Sequence, residues 1–186
     1  TPLYSSAASD VYKRQEGAFA QLMHSAIDAG IALAALADAG AYGREQARVL
    51  RESGVSSATQ DPYVLHTIGE MAIAAHGAEA LLGRGAALLE QALAASLAGD
   101  ADANRLLGEA SIAVAEAKYA TTEASIRVSE MLFRIGGASA TSRGLNLDRH
   151  WRNARTHTTH DPVSYKARAV GDFYLNGNLP PINTKI

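Results

Sequence analysis

The chain reads as an all-α protein, an up-and-down four-helix bundle, on three observations. Apolar residues recur at three- and four-residue spacing over long stretches, the period of one helix face. No run alternates as a strand would. The long helices are joined by short polar or glycine links, which force neighbouring helices to run antiparallel.

The elements follow in order. Thr1 to Gln15, TPLYSSAASDVYKRQ, resembles the translated read-one adapter of a transposase-based sequencing library. It is set aside as a non-native segment, like a fusion scar. The expectation is that the reading frame opens at a read end and that an N-terminal portion precedes Glu16. The first helix runs from about Gly17 to Arg51, with a break at Gly40 or Gly43. Ser53 to Gln60 is a polar loop. Asp61-Pro62 starts the second helix, Asp as the cap and Pro at the first helical position. Leu65, Ile68, Met71, Ala75, Ala78, Leu82, Leu89 and Leu93 carry its apolar face to about Ala98. Gly99-Asp100 turns the chain. The third helix spans about Asp102 to Ile135, with a stripe of Leu106, Ala110, Val114, Ala117, Thr121, Ala124, Val128 and Leu132. Gly136-Gly137 ends it. A loop of small residues leads to a polar-striped helix, and a last helix covers about Val163 to Leu175.

Composition excludes several classes. Nearly half the residues are apolar, enough for a core, and the formal net charge is −2. Without the first fifteen residues, which hold Lys13, Arg14 and Asp10, it becomes −3. That balance argues against a nucleic-acid or anionic-membrane binder. The absence of cysteine rules out disulfides, thiolate metal sites and a cysteine nucleophile, and suits the cytoplasm. Apolar runs are broken by Asp, Glu, His or Arg before the ~20 residues a membrane span needs.

The segment Leu145 to Pro162, LNLDRHWRNARTHTTHDP, carries the chemistry. On a helix, Arg149, Arg152, Asn153, Thr156, His157 and His160 share one face. Such a stripe faces water, a polar partner or a ligand, because each unpaired buried polar group costs a few kcal/mol. Arg, Asn and His suit anions and protons better than a Lys/Glu solvated face would. Pro162 stops the helix and leaves His160 and Asp161 at its C-terminal end. Trp151, on the opposite side, is expected in the core. His157 and His160 lack a carboxylate pair at ligand spacing, so no metal site is expected. His24, His66 and His76 are read as partly buried, hydrogen-bonded residues. Glu116, Lys118 and Glu123 are read as solubilising. Gly136-Gly137 is no dinucleotide fingerprint, since no strand precedes it.

The segment from Lys118 to Gly177, KYATTEASIRVSEMLFRIGGASATSRGLNLDRHWRNARTHTTHDPVSYKARAVGDFYLNG, resembles the C-terminal helical domain of the acyl-CoA dehydrogenase superfamily. The run HWRNARTHTTHDP resembles its flavin-dependent monooxygenase branch, the dibenzothiophene monooxygenase and sulfur-acquisition oxidoreductase group. The resemblance covers about Gly17 to Pro181. It implies that residues 16–186 are the C-terminal bundle of a larger flavoenzyme with helical N-terminal and β domains. It implies a flavin completed by a neighbouring subunit of a homotetramer. Flavin-binding residues would be Gly136, Gly137, Arg152 and Asn153, with His157 and Asp161 as further substrate or flavin contacts. Dehydrogenases of the superfamily carry a Glu-Gly-Thr-Ser-like motif where this chain has His160-Asp161-Pro162. That departure favours the oxygenase branch, whose matching histidine faces the flavin C4a position and supports a hydroperoxide; the catalytic role falls on His160. Several relatives have Arg where this chain has Ser139, so no phosphate contact is assigned there.

The implied function is a reduced-flavin-dependent monooxygenase acting on a small substrate, an organosulfur compound being one candidate. Its cofactor would be FMN supplied by a separate NADH-dependent flavin reductase. The alternatives are an FAD-dependent acyl-CoA dehydrogenase and a non-catalytic helical interaction domain.

Overall fold

The computed structural model describes residues 6–180, with side chains from residue 16. Thr1 to Ser5, and the side chains of the rest of the adapter-like segment, lie outside the described residues. Five α-helices follow one another: α1 (Ser6–Glu45), α2 (Pro62–Leu97), α3 (Ala103–Gly136), α4 (Arg149–His157) and α5 (Ser164–Asn176). No strand occurs among the described residues. α1 begins eleven residues before the predicted Gly17 start and ends at Glu45 instead of Arg51. Its backbone runs through Gly40 and stops two residues past Gly43, where the N–H groups of Gln46 and Ala47 both donate to the Tyr42 carbonyl at 2.9 Å.

Two caps are in place, the first of them predicted. The Asp61 carboxylate accepts from the backbone N–H of Tyr63 at 2.8 Å and of Val64 at 3.4 Å, which satisfies donors that the first turn of α2 leaves open. Gly177 ends α5 at φ 72°, its N–H donating to Phe173.

The chain divides into two compact units. The first holds residues up to 27, 79–120 and 161 onward. Its core is Ala18, Leu89, Ala92, Leu107 and Ala110, flanked by Leu22, Leu88, Leu93 and Leu106. Gly85 lets α2 approach α3: a Cβ there would lie 3.4 Å from the Ala113 carbonyl. The Arg84 guanidinium pairs with Glu116, which also accepts from the Tyr174 hydroxyl at 3.1 Å.

The second unit holds residues 28–78 and 121–160. Met71, Val128, Met131 and Leu132 are buried in it, together with Ala32, Ala35 and Ala39 of α1. The α3 stripe lies inside along its whole length except Leu106, which is half-buried. The α2 stripe fails at its start, since Leu65 is 57% exposed.

Length and composition alone would let Glu16–Glu45 cross a membrane, against the sequence reading of interrupted apolar runs. The core helix of a soluble protein passes the same test. In this helix Asp28 is fully buried and hydrogen-bonded to α3 and α4, the behaviour of a protein-facing helix.

Candidate functional site

α4 is short and polar, and the way it is held decides which of its side chains are available. Its inward positions are His150 and Ala154, both buried, with His157 half-buried. The predicted single polar face therefore splits. Arg149 and His157 take carboxylate partners on α1, while Arg152, Asn153 and Thr156 are exposed, Arg152 pairing locally with Asp148. Trp151, expected in the core, is 41% exposed, and its neighbour His150 is the buried ring. On a helix, consecutive residues are turned about 100° apart, so burying His150 turns Trp151 out.

Two carboxylates of α1 receive α4. Asp38 Oδ2 lies 2.7 Å from His150 Nε2 and pairs with the Arg149 guanidinium. Partial burial pushes the Asp38 carboxyl up. The hydrogen bond from His150 and the charges of Arg149 and His150 outweigh it and hold the carboxyl below its usual value. Asp28 Oδ1 lies 2.7 Å from His157 Nδ1, and its Oδ2 accepts from the Thr122 hydroxyl at 3.1 Å. A cleft of about 250 Å³ lies beside the first pair, lined by Asp38, Tyr42, Glu45, Leu145, Leu147 and Arg149 among others.

His160, the predicted catalytic residue, lies outside α4. The helix ends at His157, with the Thr158 N–H donating to Ala154 and the His160 N–H to the His157 carbonyl at 3.1 Å. The Thr159 hydroxyl donates back to the Thr156 carbonyl at 2.7 Å, the kind of local bond that competes with a helix ladder. Pro162 follows and cannot continue the helix. His160 is exposed on this turn. Asp161, in the first unit, accepts from Gln21 Nε2 at 2.7 Å.

Gly137 has φ 53°, a conformation that favours glycine, and a Cβ there would meet nothing within 4 Å. Gly136 is tight: a Cβ would lie 2.7 Å from that of Ala140. Arg152 donates to Asp148 at 2.9 Å and to Asn146 at 3.0 Å. The described neighbours of Gly136 are Ala140 and Tyr42, and those of Arg152 are Asp148 and Asn146, so these contacts do not join the two.

Sequence reasoning missed Asp28, Asp38 and His150. Besides Trp151, it misplaced three residues. Lys118, read as solubilising, is 1% exposed, while His66 and His76 are exposed. His66 Nε2 is 3.5 Å from Glu70 on the next turn. The buried positions of α1 were legible only as small residues. A carboxylate among them gives no signal of its partner.

Residues 22–165 match the family described as acyl-CoA dehydrogenase, C-terminal domain. The chain belongs to this family. Among curated relatives of this acyl-CoA dehydrogenase C-terminal domain, dibenzothiophene monooxygenase from Mycolicibacterium goodii is 40% identical over 164 residues, 88% of this chain and 39% of the relative. The probable FMNH2-dependent monooxygenase SfnC from Pseudomonas putida is 35% identical over 161 residues, 87% of this chain and 40% of the relative. Dibenzothiophene monooxygenase TdsC from Paenibacillus sp. A11-2, solved with FMN and indole, superposes with a TM-score of 0.84 at 35% identity, covering 93% of this chain and 43% of that one. The fold is that of the acyl-CoA dehydrogenase C-terminal domain, as the resemblance implies, and the chain spans about two fifths of the length of these relatives.

Proposed function

We propose that this chain is the C-terminal part of a reduced-flavin-dependent monooxygenase. What carries the reading is the turn His160-Asp161-Pro162, which by the motif resemblance replaces the glutamate motif of the dehydrogenases, in a chain 40% identical to a dibenzothiophene monooxygenase. An imidazole there cannot serve as the carboxylate base of desaturation, but it can donate and accept a proton near neutral pH. The non-catalytic alternative does not account for that match.

The residues present fit one wall of a flavin site. Gly137 offers open backbone to a flat group. Arg152 and Asn153 are exposed donors for its phosphate or carbonyl oxygens. FMN, delivered reduced by a separate NADH-dependent reductase, would supply the oxygen chemistry when bound. His160 would hold a proton toward the reacting oxygen through its imidazole and return it to the departing oxygen. Domains contributed by the rest of a full-length enzyme would exclude water. The substrate class is a small molecule, with organosulfur compounds favoured by the names of the relatives. Homotetrameric assembly and a cytoplasmic location complete the reading.

The test is His160→Ala in the enzyme restored to the relatives' full length. Oxygenation should fall about 100-fold or more, the scale of a positioned proton donor. FMN affinity should stay within a few-fold, and hydrogen peroxide should be released in place of product. Oxygenation at the parental rate would remove His160 from the chemistry.

A further inference from the structure

Asp28 is a buried carboxylate that the proposed function does not use. We propose that it is a positioning residue, holding the end of α4 and through it the turn that carries His160. The inference rests on the reading of His160 as the proton-handling group.

A carboxylate with no exposed surface is costly unless its oxygens are met by donors. Here Oδ1 meets the Nδ1 of His157 and Oδ2 the hydroxyl of Thr122. α3 and the last residue of α4 thereby converge on the Asp28 carboxylate of α1. The His157 carbonyl accepts the His160 N–H. The connection runs from the Asp28 carboxylate to the His157 ring, and from the His157 carbonyl to the His160 amide.

This hold is needed where it is found. α4 has nine residues, too few to be stable by its own hydrogen bonds. Asp38 grips its start, at Arg149 and His150. Without Asp28 the other end would fray, and fraying there displaces His160. An ionised carboxylate can only accept, so the geometry assigns the shared proton to His157 Nδ1.

The experiment uses the 186-residue chain labelled with 15N. The His157 ring nitrogens are read at neutral pH, and amide exchange is followed at His160 and at Val114 as a reference. Nδ1 should carry a proton at neutral pH. Asp28→Asn should speed His160 amide exchange about tenfold or more, the loss of one charge-assisted hydrogen bond. Val114 should be unchanged. Thr122→Val should produce a smaller rise of the same kind.

An Nδ1 without its proton at neutral pH overturns the proposal, as does unchanged His160 exchange in Asp28→Asn. If Asp28→Asn does not fold, the ring-nitrogen spectrum of the parent and Thr122→Val decide. The two readings separate cleanly. Parental oxygenation in His160→Ala, with a loosened amide in Asp28→Asn, removes the catalytic role and leaves the positioning role. The reverse pattern removes positioning alone.

Discussion

His150 Nε2 lies 2.7 Å from Asp38 Oδ2, a carboxylate–imidazole pair that fastens the first turn of α4 to α1. The ring is buried, so its partner cannot be removed without leaving a polar group stranded. Asp38→Ala should therefore cost about 1–3 kcal/mol, the usual penalty for an unsatisfied buried group. Chemical denaturation of parent and variant measures it. An unchanged midpoint would mean that the pair contributes nothing to folding.

The same carboxylate predicts a pH dependence. Its folded value is lowered from the ordinary 3.8, because the bond from His150 and the nearby cations overcome the opposing effect of burial. A depressed carboxyl adds stability that is fully present above the ordinary value and lost as pH falls through the lower folded value. The melting temperature of the parent should drop below about pH 4 more steeply than that of Asp38→Asn. Parallel curves for the two proteins would argue against this assignment.

Burial separates two leucines that look alike in the sequence. Leu107 is fully buried in the first unit, whereas Leu65 is mostly exposed on α2. Leu107→Ala should cost about 2–5 kcal/mol through lost burial and a residual cavity. Leu65→Ala should stay within about 0.5 kcal/mol, as surface substitutions do. Equal losses at the two sites would contradict the packing described.

Gly137→Ala should destabilise by about 1–2 kcal/mol, because an alanine at φ 53° takes on left-handed strain although the space around it is open. Gly136→Ala should also destabilise, for a different reason: its methyl would press on Ala140. Thermal melts of both variants check this. A neutral Gly137→Ala would show that the turn relaxes.

Two expectations concern the chain by itself. Titration with FMN should give weak binding or none, since the chain spans about two fifths of its relatives. Tight stoichiometric binding, followed by flavin fluorescence, would overturn that. Deleting Thr1 to Gln15 should leave the melting temperature unchanged within error and remove only the helical signal of the lost residues. A clear drop would show that the segment packs on the protein.

Local signals carried most of the fold. Asp61-Pro62, Gly136-Gly137 and the stripe from Ala110 to Leu132 are each readable in a few neighbouring residues, and each stands where it was expected. Caps and periodicity act over one or two turns, so the chain states them outright. The resemblance in HWRNARTHTTHDP likewise pointed to the family without any structure. What α4 does with that run was settled only in three dimensions. His157 meets a carboxylate 129 residues away and His150 one 112 away. No local rule encodes such a meeting. Helical periodicity extended the polar face to His160, but the back-bonding threonine turned the chain out after His157. Lys118 shows the same limit, since the sequence offers a charge and only packing reveals that it lies inside. The sequence by itself determined the helices, the start of α2, the end of α3 and the family. The tertiary structure decided which polar side chains are tied and which remain exposed, because that depends on partners brought together by packing of distant segments.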